Sequence, residues 1–382
     1  SAGTVCSTPP WFFQHMFVPK GKTWQFAAQI KQVLNIPVIF VGRVNSATDV
    51  NRLKNEFGAE YIALGRALIA DPDFIGKYEK KIAGRIRPCL ACSEGCLGGV
   101  RSGQGLACVV NPTVGRDKPE FGKTDTPGQY AVVGGGLAGM EAALMLKLRG
   151  HQVVLFEKDK LGGQFNLAWL PPNKESLKEI VDYYIYELKE HDVPVIYKEA
   201  TPKDLLNGNY DAAIIATGAQ PAIPPIKGLD KFYWAEFLLD ENLPENKKVV
   251  VIGGGLIGIE IASKLVDKNN DVIVVEMLNE IARGMEMIEK NMTLKKLQMK
   301  NVPIYLNTKV SAVDGDKVYL IGERQVLLEN VDHIVVATGM KSHRPLADAL
   351  KDKIEVHVIG DAKKVAKAQE AIRDGYMIAQ NL

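Results

Sequence analysis

Short apolar runs recur along this chain, and between them apolar residues fall at helical spacing. From Ile36 the sequence reads IPVIFVGR, followed by a polar-apolar helical stretch over Ala47 to Phe57, a second run AEYIALGR, and a second helix from Pro72 to about Ile82. Apolar runs of this length alternating with helices predict buried parallel strands, a βαβα piece. Both runs end in a Gly-Arg pair, Gly42-Arg43 and Gly65-Arg66. A Cys-rich, helix-poor segment follows from Arg87 to Pro112, then a Pro/Gly/Asp-containing linker over Thr113 to Gly128.

The remainder repeats itself. QYAVVGGGLAGMEAALMLKLRGHQVVLFEKD (129 to 159) and KVVVIGGGLIGIEIASKLVDKNNDVIVVEML (248 to 278) align without a gap, pairing Gly134 with Gly253, Gly136 with Gly255, Gly139 with Gly258 and Glu157 with Glu276. Each copy is followed by a later apolar strand ending in Ala-Thr-Gly, at 216 to 218 and 337 to 339. Two related nucleotide-binding modules in tandem are the direct reading. Short alternating segments between Pro303 and Leu328, such as DKVYLIG, predict a small antiparallel meander, and Ile354 to Gly360 a last strand.

Each glycine triplet follows an apolar strand, opens a helix, and has an acid at the end of the next strand. The first Gly makes the tight turn, the second lets backbone approach a pyrophosphate, and the third permits close helix-strand packing. The helix N-terminus meets the phosphates and the acid accepts the ribose hydroxyls. Ordinary glycine turns, or nucleotide modules without a redox role, are the plainer alternatives. After Glu276 come Met277, Leu278 and Asn279, with no arginine until Arg283. A 2′-phosphate would face a carboxylate there, a repulsion of about 1 to 4 kcal/mol, so NADH is expected rather than NADPH.

Composition narrows the field without naming a partner. In 382 residues, 47 Lys and Arg balance 45 Asp and Glu to leave +2, so neither disorder nor nucleic-acid binding is indicated. The longest uncharged apolar stretch, Val249 to Ile259, is far short of the ~20 residues of a membrane helix. SAGTVCSTPP does not read as a signal peptide, so a cytoplasmic location is expected, with the first residue at a processing, cloning or fragmentation boundary. Four of the five cysteines, Cys89, Cys92, Cys96 and Cys108, are spaced C-x2-C-x3-C-x11-C. Four thiolates at this spacing suit an iron-sulfur cluster, with structural zinc and disulfides as alternatives. Cys6 is left as a free thiol. An arginine after a strand-end glycine is usually only a loop residue, but two on consecutive βα units suit the phosphate site of an α/β barrel.

These residues resemble the iron-sulfur flavoenzymes of the old yellow enzyme superfamily, similar to 2,4-dienoyl-CoA reductase, 2-enoate reductase and trimethylamine dehydrogenase. The resemblance lies in PVIFVGRV, YIALGRALIADPDF, CLACSEGCLGGV with Cys108-Val-Val-Asn-Pro, AVVGGGLAGMEAA, KLGGQFNLA, IIATG, VVVIGGGLIGIE, IVVATG and VHVIGDA, and covers nearly the whole chain. It implies an α/β chain in three parts. Residues 1–86 would be the C-terminal part of an FMN-binding TIM barrel, and 87–112 a [4Fe-4S] segment. Nested Rossmann-like domains of disulfide-reductase type would follow, for FAD (128–245, completed by 341–382) and NAD (246–340).

Carried over residue by residue, Gly42, Arg43, Gly65 and Arg66 would touch the FMN phosphate. Gly134, Gly136, Gly139 and Glu157 would hold the ADP moiety of FAD, with Gly163-Gln164 near the flavin and Gly360-Asp361 at its ribityl-pyrophosphate part. NADH would occupy Gly253, Gly255, Gly258 and Glu276. Electrons would pass from NADH to FAD, through the cluster to FMN, and on to an activated C=C bond of an enoate or enoyl-CoA. Disulfide reductases carry redox cysteines inside these modules, yet no Cys occurs from Val109 to Leu382, which leaves the cluster as the electron exit. An eight-fold barrel needs roughly 200 residues or more, so the first six units and the proton donor are expected to be absent. A companion barrel fragment or a homo-oligomer would cover the exposed edges. Trp11 and His15 are read as packing residues, and no catalytic residue is assigned. An electron-transfer subunit serving a partner enzyme, or a non-catalytic ADP-binding module, are the other readings.

Overall fold

Both faces of the central strands are covered, which is why they read as unbroken apolar runs rather than alternating ones. The computed structural model describes residues 9–115 and 122–382; Cys6 and part of the Thr113–Gly128 linker lie outside them. The chain forms two compact units: Ser1–Asn166 with Ser176–Gly218 and Ser342–Leu382, and Leu167–Glu175 with Ala219–Lys341.

In the first unit five parallel strands lie in the order Glu355–Val358, Ala212–Ile215, Gln129–Val133, Gln152–Glu157, Val195–Tyr197. The last strand read from the sequence therefore joins the sheet at its edge, beside Ala212–Ile215. Helix Leu137–Leu148, entered from the first glycine loop, is buried on every side from Leu137 to Leu146. Helix Ala368–Asn381 crosses it closely, and a Cβ at Gly375 would come within 2.4 Å of the Ala138 carbonyl oxygen.

The second unit repeats the plan with four parallel strands, Ile304–Tyr305, Asp271–Val275, Lys248–Ile252 and His333–Val336. Val249, Val251, Val272 and Val274 face the helical layer, while Val250, Ile252, Ile273 and Val275 face an antiparallel meander. The meander is Lys309–Asp314, Lys317–Ile321 and Gln325–Leu328, bulged between Val310 and Ala312. It begins later than the sequence suggests, because Ile304–Tyr305 pairs with the parallel sheet instead. Segment Leu167–Glu175 belongs to this unit. Leu167 and Leu170 pack on its core, and Lys174 Nζ bridges Glu260 (2.5 Å) and Glu289 (2.7 Å).

Before the cysteines, Ile39–Phe40 and Tyr61–Ile62 pair in parallel, joined by Ala47–Phe57, a helix closed by a Ser46/Asp49 capping box. Trp24, Phe40, Leu53 and Phe74 form the local core. The expectation of buried strands fails on one face: Phe40 is enclosed, but Ile39 and Tyr61 are 62% and 53% exposed. Among the described residues, helices cover one side of the pair, the side of Phe40. The helix expected from Pro72 to Ile82 is shortened to Phe74–Tyr78, because Lys80 turns left-handed (φ 58°) and the amides of Lys81 and Ile82 fold back onto the Gly76 carbonyl. Helices Lys22–Val33 and Arg66–Ala70 add to those read from the pattern. The segment Arg87–Pro112 is not wholly irregular, since a single π-type turn, Glu94–Gly98, runs into Gly99–Arg101.

Candidate functional site: two glycine loops and a cysteine cavity

The three glycines of the first loop differ in what forces them. Gly134 turns at φ 106°, and a Cβ there would meet the Ala216 carbonyl oxygen at 2.3 Å; one on Gly139 would meet the Gly134 carbonyl oxygen at 1.9 Å. Ala216 opens the Ala-Thr-Gly motif, so that motif supplies the surface against which the loop turns. Gly136 is different: its backbone is ordinary (φ −73°) and nothing lies within 4 Å of a Cβ built on it. Among the described residues no atom excludes a side chain at Gly136, which suits a position kept bare for a ligand. Helix Leu137–Leu148 starts there without a side-chain cap, leaving its first amides for an anion.

Glu157 is buried and pinned: Oε2 accepts from Gly135 N (2.6 Å) and Oε1 from Asp159 N (2.9 Å). Each oxygen keeps a second lone pair for a hydroxyl. Gly163 packs on this loop, a Cβ there lying 3.3 Å from Gly136 Cα, and Gln164 follows it, exposed, in the turn Gly163–Leu167. Gly360, at φ 58°, lies against Ala138, and burial raises the Asp361 carboxyl above its ordinary range. Gly134, Gly136, Gly139, Glu157, Gly163 and Gly360 thus gather around one helix start.

The second loop is a near copy. Cβ atoms at Gly253 and Gly258 would meet Ala337 O (2.3 Å) and Gly253 O (1.9 Å), while Gly255 is open and helix Leu256–Leu265 is likewise uncapped. Glu276 accepts from Gly254 N (2.6 Å) and Leu278 N (2.8 Å). Arg283, the next cation along the chain, is 74% exposed at its side chain and lies 3.6 Å from Glu280.

Cys89, Cys92, Cys96 and Cys108 line one cavity together with Arg66, Ser93 and Val110. All four are free thiols, and among the described residues no three His, Cys, Asp or Glu side chains converge as they would on a single metal ion. Four cysteine sulfurs around one cavity are a donor set that suits an iron-sulfur cluster or a zinc ion. Burial pushes the Cys108 thiol up to about 11. Burial also raises Cys92, helped by the Glu94 carboxylate, and raises Cys89 against the pull of Arg66. A bound cation would favour their thiolate forms.

The Gly-Arg pairs are engaged in the protein itself. Arg43 Nη1 donates to the carbonyls of His15 (3.3 Å), Met16 (3.4 Å) and Val18 (2.8 Å). Arg66 donates to the carbonyls of Phe13 and Gln14 and to Ser93 Oγ (3.1 Å), so it faces the cysteine cavity. Gly42 is closed in by Thr23, whereas Gly65 is open at the start of Arg66–Ala70. His15 is fully buried, with Nε2 3.1 Å from the Cys92 carbonyl oxygen and Nδ1 accepting from Phe17 N (3.2 Å). Trp11 is half-buried nearby in sequence.

Besides the Lys174 bridge, sequence reading missed a second buried ion pair. Arg87 Nη2 lies 3.3 Å from Glu141 Oε2, which also accepts from the Tyr184 hydroxyl (2.8 Å), and its guanidinium sits 5.0 Å from the Tyr183 ring centre. The available signal was Glu141 itself, the one acid in the otherwise apolar first turns LAGMEAALML.

The chain is 35% identical over 369 residues to bilirubin reductase of Mediterraneibacter gnavus, covering 94% of this chain and 57% of that protein. It is 33% identical over 390 residues to cinnamate reductase of Clostridium sporogenes, covering 100% and 58%. The structure of 2-naphthoyl-CoA reductase in complex with 2-naphthoyl-CoA matches with a TM-score of 0.88 at 27% identity, over 96% of this chain and 57% of that one. This chain therefore spans well under two thirds of the length of these relatives. Residues 128–363, which hold both glycine loops and both pinned carboxylates, match the pyridine nucleotide-disulphide oxidoreductase family, and the chain belongs to it.

Proposed function

We propose that this chain is the NADH-oxidising, electron-delivering part of a flavin and iron-sulfur oxidoreductase. The observation that carries the proposal is the pair of open glycines, Gly136 and Gly255, each at an uncapped helix start beside a pinned carboxylate. The first loop would take FAD, since only there do Gly163 and Gly360 close around the helix start. The second would take NADH. Cys89, Cys92, Cys96 and Cys108 would hold an iron-sulfur cluster, which would supply one-electron transfer, while bound FAD would supply the conversion of a hydride to single electrons.

The protein's part is binding and orientation. Amides at the starts of Leu137–Leu148 and Leu256–Leu265 would meet the pyrophosphates, and Glu157 and Glu276 would fix the riboses. Glu276, already oriented by two amides, would repel a 2′-phosphate, and Arg283, the next cation along the chain, lies beside Glu280 instead. The FMN reading keeps less support. Arg43 donates to carbonyls through Nη1 while its buried Nε has no partner among the described residues, and Arg66 donates to carbonyls and to Ser93 Oγ.

For the complete enzyme we propose reduction of a conjugated C=C bond. Cinnamate, bilirubin and 2-naphthoyl-CoA, named in the relatives, all carry one, and an enoate or enoyl thioester is the substrate class. The residues 1–86 would belong to the barrel bearing that pocket. The test is anaerobic. FAD-loaded protein should bleach on adding NADH and pass electrons to an artificial acceptor, with NADPH much less effective. A flavin that stays oxidised under excess NADH would defeat the proposal.

A further inference from the structure

One short stretch, residues 360–369, leads from the first glycine loop to the cysteine cavity. It begins at Gly360, against Ala138 and tied by its amide to Asp374 Oδ2 (3.1 Å). The Ala366 amide closes the loop onto Asp361 Oδ1 (3.0 Å). Lys367, at the N-cap of Ala368–Asn381, then ion-pairs with Glu94, 273 positions earlier. Two residues on, Gln369 Oε1 would lie only 2.4 Å from a Cβ at Gly95, whose carbonyl accepts from Ala107 N (3.1 Å). Glu94 opens the π-type turn that carries Cys96 and follows Cys92 by two residues. That turn is clamped between Ala107–Cys108 and the C-terminal helix.

We propose that Lys367 tunes the reduction potential of the cysteine-held cluster by neutralising Glu94, so that the flavin-binding part of the chain sets how readily the cluster accepts an electron. This rests on the reading above that the four cysteines hold a cluster. The reasoning is electrostatic. A carboxylate beside an anionic cluster opposes adding an electron, and an ammonium in contact with that carboxylate removes the opposition. Arg66 also lines the cavity, held by Ser93 and the carbonyls of Phe13 and Gln14, and Arg43 acts on Cys89 as well; both stay constant across the variants. The pair's side chains are 39% and 31% exposed, so solvent screens part of the effect. Lys367 is a positioning residue here and touches no substrate.

The test uses the whole chain reconstituted anaerobically with iron and sulfide, and a redox titration followed by electron paramagnetic resonance. Lys367→Met should lower the midpoint potential, Lys367→Arg should keep it near the parent value, and Glu94→Gln should raise it. The double variant K367M/E94Q should return close to the parent. Iron content separates tuning from damage, and if K367M fails to hold iron, the upward shift in E94Q decides alone. An unchanged or raised potential in K367M with full iron content, or no rise in E94Q, overturns the tuning role while leaving the cluster reading intact. Absence of any cluster signal in the parent protein overturns both.

Discussion

Glu276 offers the sharpest test of which loop holds which dinucleotide. Its carboxylate accepts 2.6 and 2.8 Å hydrogen bonds from Gly254 N and Leu278 N, and each oxygen has one lone pair left. Glu276→Gln keeps the shape but replaces one acceptor oxygen by an NH2 group. One of the two amides then faces a donor, and the ribose loses a charged acceptor. A hydrogen bond to a charged group contributes about 1.5–3 kcal/mol, and about 1.4 kcal/mol is a tenfold change. The KM for NADH in the acceptor assay should therefore rise about 10- to 150-fold, with FAD content unchanged. Glu157→Gln should do the reverse, lowering retained FAD at purification while leaving the KM of the remaining holoprotein near its parent value. Flavin absorbance after gel filtration and steady-state kinetics with NADH read both. If E276Q leaves the NADH KM within twofold of the parent, or strips FAD while E157Q does not, the assignment of the two sites is refuted.

Glycine replacements should separate ligand from fold. Gly136→Ala and Gly255→Ala have room and ordinary backbone, so urea stability should stay within about 0.5 kcal/mol while nucleotide binding weakens. Gly258→Ala would drive a Cβ to 1.9 Å from the Gly253 carbonyl oxygen and should cost about 1–3 kcal/mol or more. Removing the buried cation in Arg87→Met leaves Glu141 enclosed with only the Tyr184 hydroxyl as a named partner, costing about 3–5 kcal/mol. The double variant R87M/E141L should recover much of that loss, as an equilibrium urea melt would reveal. Cys108→Ser should cut bound iron and sulfide by more than half in elemental analysis, and zinc in their place would replace the cluster reading.

Local order decided much of this protein before any tertiary contact was considered. The parallel strands, the two uncapped helices and the carboxylates at the ends of Gln152–Glu157 and Asp271–Val275 follow from patterns a few residues long. Covered strands must be apolar throughout, and a backbone that approaches phosphate must lack side chains. The gap-free match of the two copies could therefore be read off the chain, and so could the spacing that brings four thiols together. Only the tertiary structure shows Arg43 and Arg66 donating to carbonyls of residues 13–18, because a guanidinium after a glycine carries no mark of its partner. It also brought Lys367 to Glu94 and Arg87 to Glu141. Those pairings join positions far apart in the chain, where charge is visible in the sequence but distance is not, and distance decides what a charge does.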